Sequence, residues 1–147
     1  MLKEQLARDL KDAMRAKETV RMNAIRMLQA AITEREKSGG GAVADDDLVQ
    51  IVAKQAKQRR DSYAQFTEAG RDDLAEREAQ ELGYIEAYLP AQATDEDIHA
   101  AVHAIVQRTG ATTMKDMGRV MGEAMSELRG RAEGSRVQAV VRALLGA

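Results

Sequence analysis

An all-α fold in two parts is what the 147-residue sequence predicts, and three observations carry that expectation. Apolar residues recur at three- and four-residue spacing in nearly every segment, and β-branched residues nowhere alternate with polar ones over a useful length. Helix start signals (Thr94 with Asp97, Thr113 with Asp116, Ser135 with Gln138) and stop signals (Gly70, Gly110, Gly130) fall between those segments. Pro90, the only proline, stands in a PAQA stretch that reads as the break between an N-terminal helical domain (1–90) and a three-helix C-terminal domain (93–147).

About seven helices follow in order. Leu2, Leu6, Leu10 and Met14 share one face of the first. Thr19 is positioned to cap a second, running to Glu36, with Met22, Ile25, Leu28 and Ile32 on one side and Val20, Ala24, Met27 and Ala31 on another. SGGGAVA (38–44) reads as a flexible loop. Asp45, Asp46 and Asp47 then open a third helix that extends to about Ala69, in keeping with the attraction of a helix N-terminus for negative charge. Asp72 is positioned to cap a fourth helix that ends before Pro90. The short AGRD connection makes the third and fourth an antiparallel hairpin. Three short helices make up the remainder, and no heptad or longer repeat is sustained.

Composition excludes several chemistries. With no cysteine there is no disulfide, zinc-thiolate site or thiol nucleophile. Neither a signal peptide nor a membrane span is apparent, and a cytoplasmic protein with no membrane partner is expected. One Phe, three Tyr and no Trp leave little material for stacking bases. Residues 1–107 hold 15 basic and 20 acidic side chains, whereas residues 108–147 hold 7 and 4, so positive charge is confined to the tail.

Asp95, His99 and His103 lie at successive i, i+4 positions, but without a fourth ligand or HExxH context they read as an exposed face. Gly39–Gly41 follows no strand and lacks the P-loop pattern. No catalytic residue, metal or cofactor is therefore expected. In the hairpin, Arg59 faces Glu78 and Glu81 by helical register, which suggests a structural ion pair. Lys54, Lys57 and Arg60 form a basic stripe on the side away from the apolar face, expected to meet solvent.

KDMGRVMGEAM (115–125) is the unusual stretch. Its methionines, Val120 and Ala124 ask for an amphipathic helix, yet Gly118 and Gly122 interrupt it, each about 1 kcal/mol worse than alanine. The two glycines form a seam between the apolar arc and a strip holding Lys115 and Arg119, with Arg129 next in line. Such a seam suits either a crossing helix or a phosphate backbone; spacing alone favours helix packing, with Gly118 the packing glycine and Gly122 turned toward a ligand. RGRAEGSR (129–136) adds Arg129, Arg131 and Arg136 around a loop that enters a helix N-terminus, which favours an anion.

The segments KQRRDSYAQFTEAGRDDLAEREAQELGYIEAYLPAQ (57–92), IRMLQAAI (25–32), GATTMKDMGRVMGEAM and RGRAEGSRV resemble the YqeY family over nearly the whole chain. That family is named together with GatB, whose tail its C-terminal half resembles; GatB is a subunit of the glutamine-dependent tRNA amidotransferase. The resemblance implies a tRNA-binding module whose RNA-facing residues would be Lys115, Gly118, Arg119, Gly122, Arg129, Arg131 and Arg136. It implies a tRNA-dependent amidotransferase or an aminoacyl-tRNA synthetase as the protein partner, and no amidotransferase activity of its own, since the large GatB domain is absent. The alternatives are a helical adaptor that uses the Gly118/Gly122 seam, or a subunit that contributes to carbon–nitrogen ligation with glutamine as the amido-nitrogen donor.

Overall fold

The structure is a computed structural model that describes residues 1–146. Among them the chain forms seven α-helices and no strand: α1 (Leu2–Arg15), α2 (Thr19–Gly39), α3 (Asp45–Glu68), α4 (Asp72–Glu86), α5 (Asp95–Thr109), α6 (Met117–Glu127) and α7 (Gly134–Gly146), with one 3₁₀ turn at Met114–Asp116. No described helix is long and apolar enough to cross a membrane. The chain divides into two compact units, Met1–Leu89 and Pro90 onward.

In the first unit, α2 packs against both helices of the α3–α4 hairpin and carries α1 on it. The core is aliphatic: Leu6, Ile25, Leu28, Leu48, Val52 and Ile85 are fully buried, each contributing about 1.5–3 kcal/mol by leaving water. Local geometry differs from the expected caps at two places. Lys17 adopts a left-handed conformation (φ 58°), and Glu18 N–H donates to the Ala13 carbonyl at 3.0 Å, so the α1–α2 reversal closes one residue early. Glu18 therefore holds the cap position of α2, and Thr19 is already inside the helix. Arg71 takes the same role before α4, with Asp72 as the first helical residue. Gly70, left-handed at φ 73°, ends α3 as expected and lets Arg71 N–H reach the Phe66 carbonyl at 2.8 Å.

The core follows α3 only to Ala56 and α4 only from Leu82. At that boundary sits the charged cluster that holds the buried Arg59 and Glu81, the two buried charged residues among those described. Arg59 is buried (9% exposed) and its Nε lies 3.3 Å from Glu81 Oε2 and 3.8 Å from Glu78 Oε2. Its Nη2 donates to Gln55 Oε1 and to the sulfur of Met27, both at 3.4 Å. Arg77, largely exposed, supports Glu81 from outside at 3.4 Å. The charges are close, but Arg59 Nε and Glu78 Oε2 have no well-directed hydrogen bond. Past this point the hairpin loses its cover, which leaves Tyr63 44% exposed despite its place on the apolar face of α3.

The second unit packs α5, α6 and α7 around Ile98, Val102, Ile105, Val120, Ala124, Leu128, Val137, Val141 and Leu145, with Met117, Met121 and Met125 along the margin. Two of the expected capping boxes form. Thr94 accepts from Asp97 N–H at 3.1 Å while Asp97 accepts from Thr94 N–H at 3.0 Å. Thr113 and Asp116 repeat the arrangement at the 3₁₀ turn. The helix expected over KDMGRVMGEAM (115–125) is thus a 3₁₀ turn followed by α6, and α7 begins at Gly134, one residue before Ser135.

Burial, followed by the charge of Glu81, holds the Glu78 carboxyl above its ordinary range against the pull of Arg59. A carboxyl raised in the folded state binds its proton more tightly there than in the unfolded chain. Its contribution is therefore greatest below the ordinary carboxylate value and falls as pH rises through the raised one. Glu78→Gln should flatten that part of the stability–pH curve relative to wild type, in urea melts between about pH 4 and 7. Arg59→Ala, which leaves two carboxylates without their buried cation, should cost about 3–5 kcal/mol. Arg60→Ala, which removes a half-exposed pair with Glu86, should cost under about 1 kcal/mol. Equal small losses for the two arginines would show that the Arg59 cluster does not set the hairpin register.

Candidate nucleic-acid interface

The seven residues singled out in the tail separate into two groups. Arg131 and Arg136 are engaged within their own unit. Arg131 Nε donates to the Ala91 carbonyl at 3.0 Å, and its own carbonyl accepts from Ala93 N–H at 2.8 Å. Arg136 Nη2 donates to the Ala93 carbonyl at 3.2 Å and to Asp95 Oδ1 at 2.7 Å. Gln92 Nε2 adds a bond to the Gly130 carbonyl at 2.9 Å. The basic segment 129–136, a loop that runs into the first turn of α7, is thus stapled to the segment that leads into α5, and Arg136 points to Ala93 and Asp95. Backbone outside helices must find partners for its polar groups, and here Arg131 from the loop and Arg136 from the first turn of α7 supply them to Ala91 and Ala93.

Lys115, Arg119 and Arg129 behave differently. All three are exposed, and among the described residues none of their side chains has an ion pair or hydrogen bond. Gly118 and Gly122 are exposed as well, and a Cβ built on either meets nothing within 4 Å. The expectation that Gly118 packs against a crossing helix of this chain is therefore overturned. The reason is angular: α6 buries Val120, Ala124 and Leu128, and at about 100° per residue Gly118 lies some 120° from the centre of that arc. The methionines cover the margin, and the glycines fall beyond it.

Charge also distributes differently from the sequence view. Counted from Pro90, seven basic side chains face seven acidic ones, because α5 opens with Asp95, Glu96 and Asp97. Much of that acidity is already spoken for: Asp95 by Arg136, Asp97 by its capping box, and Glu123 by Arg108 at 2.8 Å. What remains uncompensated around the glycines is cationic. Arg142 on α7, exposed and unpaired among the described residues, was not singled out by sequence because nothing distinguishes it from an ordinary surface arginine.

The stripe on the hairpin is largely neutralised. Lys57 Nζ lies 2.7 Å from Asp61 Oδ2, and Arg60 Nε lies 3.6 Å from Glu86 Oε1, which leaves Lys54 as its unpaired member. His99 and His103 stack face to face on α5 with ring centroids 6.2 Å apart. Among the described residues no group of three His, Asp or Glu side chains is arranged to hold a metal ion.

Curated relatives were found in fungi, under the name altered inheritance of mitochondria protein 41, mitochondrial. The one from Pyrenophora tritici-repentis is 31% identical over 97% of this chain and 80% of its own length. That from Vanderwaltozyma polyspora is 31% identical over 76% of this chain and 64% of its own length. That from Clavispora lusitaniae is 39% identical over 61% of this chain and 54% of its own length. The chain therefore spans between about half and four fifths of these relatives. Their names place them in mitochondria, which overturns the expectation of a cytoplasmic protein. The model of the Yqey-like protein family matches residues 3–145, and with that coverage the chain belongs to the YqeY-like family.

Proposed function

We propose that this chain is an RNA-binding accessory module that contacts the phosphate backbone of tRNA through the exposed side of α6 and contributes no catalytic centre. The observation that carries the reading is the pairing of bare helix surface with unpaired cations: Gly118 and Gly122 open to solvent, with Arg119 on the same helix and Lys115 and Arg129 just before and just after it. A phosphate can approach a glycine face more closely than one with side chains, and each cation that replaces a counterion adds affinity that salt removes. With few aromatics, recognition would rest on shape and backbone rather than on stacked bases. The partner enzyme on this reading is one that handles tRNA, an amidotransferase or an aminoacyl-tRNA synthetase. The names of the fungal relatives make a mitochondrial setting part of the proposal. A helical adaptor that uses the same glycine seam is the second reading, favoured by the same open surface.

Three changes test it in filter-binding or anisotropy titrations with tRNA at several salt concentrations. Changing Lys115, Arg119 and Arg129 together to alanine should flatten the slope of log affinity against log salt by about 2–3 units. Changing Arg136 alone should lower the melting temperature, since it breaks the staple to Ala93 and Asp95, with little effect on the slope. An affinity that is weak and insensitive to salt in the unaltered protein would remove the RNA reading and leave the adaptor.

The glycines give an independent measurement. Alanine at Gly118 or Gly122 enters open space and gains helix propensity, so either change should raise stability by about 0.5–1 kcal/mol. Under the proposal the added methyl groups lower tRNA affinity while stability rises. Raised stability with unchanged affinity would separate the glycines from the binding surface.

A further inference from the structure

We propose that the outer face of α4 is a docking strip for an amphipathic helix of a partner protein that carries basic residues at one end. Asp72, Glu76, Ala79 and Gly83 are all exposed and fall within about 60° of one another around the helix. Two unpaired carboxylates at the hairpin end thus lead, on one line, to two small residues nearer the base. Neither Asp72 nor Glu76 has an ion pair among the described residues, while the nearby Arg71 and Arg77 are occupied by Asp73 and Glu81.

Beside the small residues lies an open cavity of about 560 Å³ between α4 and the start of α2, with Thr19, Val20, Ala79, Gly83 and Tyr84 in its walls. Tyr84 is 37% exposed there, and Arg21 at the rim is neutralised by Glu18 at 2.9 Å. A second hollow of about 300 Å³ continues from it past Tyr84 to Tyr88, whose hydroxyl donates to Asp9 at 2.6 Å.

Gly83 has no role within the chain: it is helical, has no neighbour within 4 Å of a built Cβ, and sacrifices helix propensity. Small residues one turn apart bring a crossing helix close, and an apolar side chain from it would enter the cavity against Val20 and Tyr84. The carboxylates choose the occupant. They repel a phosphate backbone and attract lysine or arginine, so the strip selects a basic helix over a nucleic acid.

The test uses the full chain and a synthetic leucine-striped helical peptide with lysines at one end, followed by amide shifts in heteronuclear NMR and by anisotropy. Shifts should concentrate at residues 18–21 and 72–84. Affinity should fall about tenfold for Gly83→Met, which fills the cavity, and similarly for Asp72→Lys with Glu76→Lys. Tyr84→Ala provides a second cavity variant should Gly83→Met lower the melting temperature. A counterpart peptide with glutamates in place of lysines should not bind. Binding that survives both cavity changes would reduce the strip to unspecific charge attraction and overturn the proposal. So would shifts of the same residues on adding tRNA, or on raising protein concentration without peptide, which would assign the face to RNA or to a second copy.

Discussion

In the first unit, the two long helices of the hairpin are covered by the bundle over only part of their length, and Arg59 stands where the cover ends. One side chain there meets three helices: Glu78 and Glu81 on α4, Gln55 on its own helix, and Met27 on α2. Apolar contacts below it would tolerate some sliding of α3 against α4, since aliphatic surfaces are not strongly directional. A buried guanidinium between two carboxylates does not tolerate it, because a slip of one residue would leave like charges together without their cation. The charges sit 3.3 and 3.8 Å away without a well-directed hydrogen bond, so the cluster holds register more than it adds stability. The position of everything carried on the exposed half of the hairpin follows from that choice.

The second unit uses arginine for a different task. Its segment 129–136 and the short stretch before α5 have little apolar content, yet the two lie together through Arg131, Arg136 and Gln92. Guanidinium groups suit this work, since several fixed donors can satisfy carbonyls that a lysine would reach singly. Arg131 and Arg136 are each engaged within the unit, whereas Lys115, Arg119 and Arg129 are exposed and without a side-chain partner among the described residues.

Much of the fold was legible in the sequence because local signals agreed with one another. Apolar spacing, the capping boxes at Thr94 and Thr113, and the stop at Gly70 each specify helix or its end through short-range physics. Even the meeting of Arg59 with Glu78 and Glu81 could be read, since a tight turn fixes the register of the hairpin. The misreadings arose where an outcome depends on what lies across from a residue. Helical periodicity placed Gly118 at the edge of an apolar arc but could not say how wide the covering surface would be. Charge counts mark Arg131 and Arg136 as cations but do not show their bonds within the unit, because their partners, Ala91, Ala93 and Asp95, lie some forty positions away in the chain. Helical spacing puts Tyr63 on the apolar face of α3, but periodicity does not record that the bundle stops short of it.

Gly83, Gly118 and Gly122 present one physical question in two separate units. A solvent-facing glycine inside a helix loses about 1 kcal/mol against alanine, and a Cβ at any of the three would touch nothing. Turn geometry does not require them, for all three are helical, and intrachain packing does not either. The remaining physical use of a bare helical surface is close approach by something outside the chain. The charges beside the glycines then distinguish the two surfaces. Unpaired lysine and arginine flank Gly118 and Gly122, whereas unpaired aspartate and glutamate lie in line with Gly83. An anion is drawn to the first and turned away from the second, so one kind of ligand does not account for both. Under the two proposals, each unit would offer bare helix to a partner of the opposite charge, and the chain would serve as a connector between them.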